Sequence, residues 1–346
     1  MRPRQVFVAT IVVLLTLLGA YLVTRLFQII ILTTLAFIFA AAISPAVARL
    51  DKRMPRVAAI FVVYIILLSL IGILIAFITQ PLISQAGSLV SNAPDLLETA
   101  QNQLQQWRAD LGLPSGGDLD FAGYLQQIFS RAPALAAGVL NVTLGVITGV
   151  GGAVVILVIA FYWLLERPRI EATWLSLVPV RRHAEVLQAL HEVEVKSGGY
   201  VRGIITLATV MSAASYIGLR FFLDMPYALV LALIVGLAEF VPLAGPFLAA
   251  VPAVLVAFAQ SPGKALLVAI FYLVLQQVEN NLLVPSVMRR SVGLSPLTTL
   301  LSVLAGATLL GVVGALLAVP VASATSVVLH HTLFRNHPDV SSTETK

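Results

Sequence analysis

Long apolar runs dominate this chain and restrict the folds it can adopt. A helix that crosses a hydrocarbon core of about 30 Å needs about 17 to 25 apolar residues. Runs of at least this length lie at 5–24, 26–48, 57–79, 137–165, 202–223 and 264–288, and two further apolar segments, 227–259 and 297–333, are interrupted. Hydrophobic residues make up 59% of the 346 residues and charged residues 11%, which is typical of a membrane protein. The sequence predicts an all-α polytopic membrane protein with about eight membrane segments.

The first run and the charged loops set the expected orientation. Arg2 and Arg4 precede the first run, as in a cleavable signal, but its length and the immediate return through a second run at Leu26 favour a retained helix. We therefore expect three transmembrane helices within residues 1–79. The positive-inside rule predicts cytoplasmic termini and cytoplasmic loops after the second and fourth runs. The basic residues concerned are Arg49, Lys52, Arg53 and Arg56, then Arg167, Arg169, Arg181, Arg182 and Lys196.

Residues 80–135 form the polar connection that we expect outside the cytoplasm. An amphipathic helix is predicted after Asn92, and a short second helix is predicted over 121–129, after a Gly/Pro-rich break at 112–117. Such a segment could be a lid or a subunit contact on the membrane face, or it could pack on neighbouring helices. The apolar stripe of the first helix is Leu96, Leu97, Ala100, Leu104 and Trp107.

Residues 136–200 are predicted to contain a transmembrane helix followed by a cytoplasmic amphipathic helix. Charges of both signs alternate along 181–196 beside an apolar stripe. The helix could couple to a transport cycle, or it could lie at the membrane interface. The stripe consists of Val186, Leu187, Leu190 and Val193.

One pattern of helix-breaking residues occurs twice in the last third of the chain. Pro226 and Pro296 are each followed by Gly after nine intervening residues, at Gly236 and Gly306, and the copies close at Pro252 and Pro320. Proline lacks a backbone N–H and glycine weakens a helix, so both segments are broken in the middle. The proposed tips contain Pro242, Gly245 and Pro246 in the first copy, and Gly311 and Gly314 in the second.

The two broken segments, 227–259 and 297–333, are either re-entrant hairpins or long kinked helices. Their length exceeds one perpendicular span and is short for two, which favours hairpins. A single span separates them, so the first hairpin would enter from outside and the second from the cytoplasm, as in transporters with inverted repeats. We expect a transport core over 201–336, followed by a disordered cytoplasmic tail over 337–346.

Polar residues within these apolar segments are candidates for a substrate or ion site, because a charge at the bilayer centre is costly. Glu239 precedes the first tip, and Gln276, Glu279 and Asn280 share a helix face at i, i+3 and i+4. A proton or sodium ion could load either acid. Alternatively, the amides could hydrogen-bond the exposed backbone of a tip.

Several function classes are excluded or disfavoured. The chain has no cysteine, so disulfides and thiolate metal sites are ruled out. No metal-ligand grouping, cofactor motif, nucleotide-binding motif or basic nucleic-acid-binding run is present. No nucleophile or catalytic carboxylate pair occurs at workable spacing, so an enzyme is not expected.

Four stretches carry a family resemblance. They are 236–246 (GLAEFVPLAGP), 276–285 (QQVENNLLVP), 291–296 (SVGLSP) and 311–320 (GVVGALLAVP). Together they resemble the autoinducer-2 exporter family, also described as PerM-like permeases. The resemblance implies a homo-oligomeric transporter, by family analogy a pentamer, in the bacterial inner membrane. It also implies export of an autoinducer-2 type solute or sodium/proton exchange.

The expected function is secondary transport of a small polar solute out of the cell by an alternating-access mechanism based on the hairpins. Uphill movement would draw on an ion gradient, because no nucleotide-binding motif is present. A cation/proton antiporter is the first alternative. A membrane scaffold or regulator that transports nothing is the second, with 80–135 and the helix near Arg181 as its functional parts.

Overall fold

The fold is entirely helical throughout the part of the chain that the structure describes. This computed structural model describes residues 3–110, 123, 127, 134, 138, 150–241, 245–288 and 293–333, and no strand occurs among them. The all-helical prediction is confirmed for these residues. Three predicted features lie largely or wholly outside the described residues: the short helix at 121–129, the first half of the 137–165 run and the tail.

Helix α1 (Pro3–Leu50) is one continuous helix of 48 residues. The prediction of two separate spans, 5–24 and 26–48, is therefore wrong. No proline or glycine lies between Gly19 and Pro45, so nothing in the backbone chemistry ends the helix at residue 25. The N-terminus and the 51–55 loop lie at opposite ends of this helix. If α1 crosses the membrane once, they lie on opposite sides, whereas the prediction placed both in the cytoplasm.

Helices α2 (Arg56–Ser91) and α3 (Ala93–Asp110) form the next part of the chain. α2 continues through Pro81 well past the predicted end at residue 79. α3 begins beside Asn92, as predicted, and docks on the bundle. Most of its predicted apolar stripe packs against the end of the later helix that contains Ala259, whereas Trp107 is exposed. The docked residues are Leu96, Leu97, Ala100 and Leu104.

Helix α4 (Val150–Leu165) packs between α1 and α2 and leads into the short helix α5 (Arg167–Ser176). A 3₁₀ turn over Val180–Arg182 then opens α6 (His183–Ile217). The predicted amphipathic helix and the predicted span at 202–223 are thus largely one helix. The stripe residues Leu190 and Val193 line a small cavity with Trp174 of α5 and Phe37 of α1.

The first broken segment consists of α7 (Ala228–Ala238) and α8 (Gly245–Gln260), which pack on each other within the main apolar core. The N-terminal end of α7 lies beside α2 and α3, since Asn92 Nδ2 donates to the Tyr227 hydroxyl at 2.9 Å. Gln85 Oε1 accepts from the Leu229 N–H at 3.1 Å and so satisfies a donor that the helix start leaves free.

Helix α9 (Pro262–Val278) follows, and the Ser261 side chain caps it by accepting from the Lys264 N–H at 3.1 Å. Lys264 Nζ donates to the Asp224 carbonyl at 3.0 Å, which ties this end of α9 to the start of α7. A π-helical turn, Glu279–Leu283, and the short helix α10 (Val284–Met288) extend α9. A second π-helical turn, Gly218–Phe222, ends α6.

Helix α11 (Pro296–Leu333) contains a break at Gly311, which has φ +61° and ψ −139°. We call the halves before and after this residue α11a and α11b. A Cβ built on Gly306 would lie 2.3 Å from the Gly314 carbonyl oxygen, whereas eight residues of continuous helix span about 12 Å. The chain therefore reverses direction at Gly311, and α11b folds back along α11a.

Four described helical stretches are long and apolar enough to cross a membrane: Leu26–Leu50, Arg56–Ser91, Val180–Phe222 and Pro262–Val287. Five shorter apolar helices accompany them: Gly152–Leu165, Ala228–Ala238, Ala249–Gln260, Pro296–Gly311 and Val313–Leu329. The protein is thus a membrane protein by length and composition of its helices, and the number of eight segments stays a prediction.

Candidate functional site

Two buried carboxyl groups meet where α7 ends and α9 gives way to its π turn. Glu239 follows the last residue of α7, and Glu279 is the first residue of the π turn. Each residue is 5% exposed, and their side chains lie within hydrogen-bonding reach of each other. An ionised carboxylate only accepts hydrogen bonds, so a bond between the two groups requires one shared proton. Glu239 Oε1 is buried and has no hydrogen-bond partner among the described residues.

Gln276 completes this cluster, and Asn280 does not join it. Gln276 Nε2 donates to Glu279 Oε2 at 2.7 Å, so the predicted i, i+3 pair is formed. The Asn280 side chain is exposed on the surface of the chain. The reason is local: the π turn begins at Glu279 and contains an extra residue, so the positions after Glu279 depart from the α-helical phase on which the prediction depended.

Where the structure describes the helices around the carboxyl pair, it shows no basic partner for either acid. Among the described residues of 203–217, 228–238, 245–260 and 265–288 there is no lysine, arginine or histidine. Arg202 and Lys264, at the ends of these ranges, have other partners, since Arg202 Nη1 donates to the carbonyls of Ala41 and Ala42 at 3.1 and 2.9 Å and Lys264 Nζ donates to the Asp224 carbonyl. Arg289 and Arg290 lie outside the described residues. A buried pair without a counter-charge favours the binding of a proton or a cation.

Two glycines beside Glu239 make close contacts, Gly245 with the end of α7 and Gly236 with α6. A Cβ at Gly245 would lie 1.8 Å from the Ala238 carbonyl oxygen, and one at Gly236 would lie 1.9 Å from Ser212 Oγ. At Gly245 the close atom belongs to the backbone, so only glycine allows that approach. At Gly236 a Cβ would also lie 3.0 Å from the Ala208 carbonyl oxygen. Of the other tip residues predicted here, Pro242 lies outside the described residues, and Pro246 is the second residue of α8, with a side chain outside the described part.

The second broken segment shares a buried cluster with the residues that follow Glu239. Phe240 and Val241 pack against the cluster that contains Tyr200 and Ile204 of α6 together with both halves of α11. The α11 residues in this cluster are Val303, Ala307, Ala315, Ala318 and Val319. The turn after α7 and the paired arms of α11 therefore meet on the same face of α6. Gly314 packs on Gly306 behind this cluster, while Gly311 has open space around it.

Sequence reasoning missed Arg202 and the contact it makes with α1. Pro45 has no N–H to bond the Ala41 carbonyl four residues earlier. Arg202 supplies that donor from α6, and Gly198 allows the approach, because a Cβ there would lie 2.2 Å from the Ala41 oxygen. The signal available in the sequence was a proline inside an apolar helix, which predicts an unpaired carbonyl one turn earlier.

Sequence reasoning also missed buried hydroxyl groups on α6 and α9. Tyr272 is 8% exposed and lies on the α9 face that carries Glu279, and its side chain approaches Ser215 of α6, which is fully buried. Neither hydroxyl makes a well-formed hydrogen bond, and the same is true of the Tyr200 hydroxyl. Their common signal was a polar residue in an otherwise apolar run, which is weak for a single serine or tyrosine.

Comparison with known proteins decides the family. A family model described as AI-2E family transporter matches residues 10–334. The chain belongs to the AI-2E transporter family. The match confirms the family resemblance that the four motifs indicated. The protein is therefore a membrane transporter by family. A transporter family agrees with the expectation that the protein is not an enzyme.

Several relatives of this AI-2E family chain illustrate its range. The chain is 29% identical to YueF of Bacillus subtilis (strain 168) over 315 residues, which are 87% of this chain and 82% of YueF. The name of YueF assigns it provisionally to transport. The AI-2 transport protein TqsA of Escherichia coli (strain K12) is 27% identical over 88% of this chain and 86% of its own length. A sodium-lithium/proton antiporter of Halobacillus andaensis is 24% identical over 82% and 84%.

Proposed function

We propose that this AI-2E family chain is a secondary transporter that exports a small polar solute of the autoinducer-2 type across the bacterial inner membrane, with a proton held by Glu239 and Glu279 as the coupling ion. The observation that carries the proposal is the buried carboxyl pair without a basic partner among the described residues around it. TqsA, a relative over most of the chain, is named for AI-2 transport.

The pair can exist in two charge states that differ in cost. With one shared proton it carries a single negative charge, which Gln276 stabilises through its 2.7 Å hydrogen bond. Loss of that proton leaves two adjacent negative charges in an apolar core, and both burial and mutual repulsion oppose this state. Opening of the site to water or entry of a cationic or hydrogen-bonding solute would lower that cost. Proton release and solute movement would thereby be coupled.

The movement that exposes the site would come from the two broken segments acting as re-entrant hairpins of opposite direction. The tight glycine contacts at Gly245 and between Gly306 and Gly314 support this, because they make each pair of arms a compact unit. The shared cluster on α6 around Tyr200 gives both units a common surface to move against. Assembly as a homo-oligomer, suggested by family analogy to be a pentamer, is part of the same proposal.

Transport in proteoliposomes tests the coupling role. Glu239→Gln and Glu279→Gln keep the shape of each side chain and remove its ability to ionise. We expect autoinducer-2 efflux driven by a pH gradient to be lost in both variants, while exchange at equal pH on both sides persists. The control is Glu98→Gln on α3, which changes an exposed acid in the same way. Unchanged gradient-driven efflux in both site variants would refute the proposal.

Labelling of single cysteines tests the hairpin of α11. The chain has no cysteine of its own, so Leu297→Cys and Ser326→Cys, which change exposed residues on either side of Gly311, each give one reactive site. A hairpin that enters and leaves on one face makes both positions reactive from the cytoplasmic side. A segment that crosses the membrane makes them reactive from opposite sides, which would contradict the hairpin.

A cation/proton antiporter is the second candidate, and the carboxyl pair also favours it. Two adjacent carboxylates can bind a sodium or lithium ion in place of the proton, and a relative with that printed activity covers 82% of this chain. Everted vesicles with an acidified interior separate the candidates. Dissipation of the pH gradient on addition of sodium or lithium supports the antiporter, and dissipation only on addition of autoinducer-2 supports the exporter.

A further inference from the structure

Gln276 is the neutral member of the carboxyl cluster, and its side chain has two different ends to offer. Its Nε2 donates to Glu279 Oε2 at 2.7 Å, while Glu239 Oε1 lies buried without a hydrogen-bond partner among the described residues. A side-chain amide carries a donor nitrogen and an acceptor oxygen on the same carbon, and rotation about the last side-chain bond is soft. A half-turn of the amide therefore replaces an N–H group by an oxygen at the same place.

The two orientations of this amide suit different occupants of the cluster. With Nε2 toward Glu279, as in the structure, the amide stabilises a carboxylate by a charge-assisted hydrogen bond. A metal cation bound to the same carboxylate would be repelled by the amide N–H groups, which are donors only. Binding of a cation between the acids therefore requires Gln276 to turn and present Oε1.

The number of oxygens in the cluster favours a small monovalent cation. Two carboxylates and one amide offer about five side-chain oxygens, and the residues beside them in sequence are apolar members of the main core or pack against it: Val235, Ala238, Leu275 and Leu283. Calcium takes about six to eight oxygens, and magnesium retains several waters. Potassium needs many oxygens to replace its water shell. Sodium and lithium fit this ligand set best.

We propose that Gln276 is the selectivity residue of a sodium or lithium site formed with Glu239 and Glu279, and that its amide makes a half-turn to bring Oε1 to the ion. The inference rests on the proposed ion-binding role of the carboxyl pair. Gln276 is a hydrogen-bond donor in the ion-free form and a ligand in the ion-bound form. The buried Glu239 Oε1 gains the ion as its partner.

Equilibrium binding of radioactive sodium tests the site without a transported solute. The purified full chain is held in detergent micelles at one constant pH, with lithium and potassium as competitors. Gln276→Met removes both amide atoms at similar size, and Gln276→Glu keeps an oxygen while it removes the N–H donor. The matched control is Gln277→Met, which changes the neighbouring glutamine, an exposed side chain on the same helix.

We expect Gln276→Met to bind sodium about tenfold more weakly or worse, because groups around a bound metal ion commonly contribute at least this much to its affinity. Lithium should compete less well in the same variant, and Gln277→Met should bind as the unmodified protein does. Infrared spectra should show that the side-chain amide carbonyl band missing from Gln276→Met shifts when sodium is added to the unmodified protein. A purely structural role of Gln276 would leave that band in place.

A folding defect is distinguishable from a lost ligand. A bound ion raises the melting temperature of the folded chain, so a variant that has only lost the ligand melts normally in potassium chloride and gains little in sodium chloride. If Gln276→Met already melts at lower temperature in potassium chloride, Gln276→Glu decides. Sodium affinity at or above that of the unmodified protein then supports the ligand role, and weaker affinity counts against it.

Two failures have different meanings. Unchanged sodium affinity in Gln276→Met overturns the role of Gln276, and loss of binding in the Glu239→Gln, Glu279→Gln double variant would still leave the carboxyl pair as the ion site. Sodium binding that persists in the double variant, or no sodium binding by the unmodified protein, overturns the binding of a cation by the pair itself.

Discussion

The contact between Arg202 and the proline-interrupted part of α1 allows a quantitative test of helix packing. Replacement of Arg202 by methionine removes two charge-assisted hydrogen bonds, of 3.1 and 2.9 Å, to the Ala41 and Ala42 carbonyls. A bond of this kind contributes about 1.5–3 kcal/mol when well shielded. Because the Arg202 side chain is partly solvent-exposed, we expect the variant to lose about 1–2 kcal/mol of unfolding free energy.

Arg202→Met and Pro45→Ala, made singly and together, form a double-mutant cycle. Alanine restores the N–H that bonds the Ala41 carbonyl within α1, so one of the two acceptors no longer depends on Arg202. Arg202→Met should therefore cost about half as much in the Pro45→Ala background, a coupling energy of about 0.5–1 kcal/mol. The measurement is reversible unfolding of the purified chain in mixed detergent micelles, followed by circular dichroism.

Arg169→Met on α5 serves as the control, since it removes the same charge from an exposed side chain and should change stability by less than about 0.5 kcal/mol. Equal losses from Arg202→Met in both backgrounds would show that the arginine does not replace the donor missing at Pro45. A loss no larger than that of Arg169→Met would show that the contact does not stabilise the fold.

Three further changes test individual contacts. Gly314→Ala places a Cβ 1.9 Å from a backbone oxygen of the facing arm and should lower the unfolding free energy by about 1–3 kcal/mol. Gly72 has open space around it, so Gly72→Ala should leave the unfolding free energy unchanged or raise it. Thermal unfolding of the two variants measures the difference. Ser261→Ala removes the cap bond to Lys264 and should cost about 1 kcal/mol, seen as faster hydrogen exchange in the first turn of α9. Leu104 is 5% exposed, so Leu104→Ala should lower the unfolding free energy by about 2–5 kcal/mol and increase proteolysis within α3. An unaltered cleavage pattern would contradict the docking of α3 on the bundle.

The sequence predicted the helical class and most helix positions because apolar length and helix-breaking residues are local signals. α3 begins where the Asn92 signal predicts, and the first broken segment ends one helix at Ala238 and starts the next at Gly245. The prediction failed for α1. There, two apolar runs of span length adjoin with only Arg25 near the boundary, and hydropathy alone does not distinguish a turn from a continuous helix.

The sequence identified the two acids of the candidate site but not the residues that surround them. Glu239 and Glu279 stand out because an acid in an apolar segment is costly. Their approach to one another depends on how α7 packs against α9, which no local pattern specifies. The helical period correctly joined Gln276 to Glu279 but also joined Asn280, because the period assumes a regular α-helix and the π turn departs from it.

The π turn after α9 also makes one short stretch tolerant of a change in length. A π turn contains one residue more than an α-helix of the same direction needs, so deletion of one residue within 280–283 restores regular α-helical hydrogen bonding and preserves the orientation of the helices on either side. The same deletion earlier in α9 would rotate every later residue by about 100°. Because Glu279 opens the turn, the regular helix before it holds this acid in place, and the turn after it tolerates the loss of one residue.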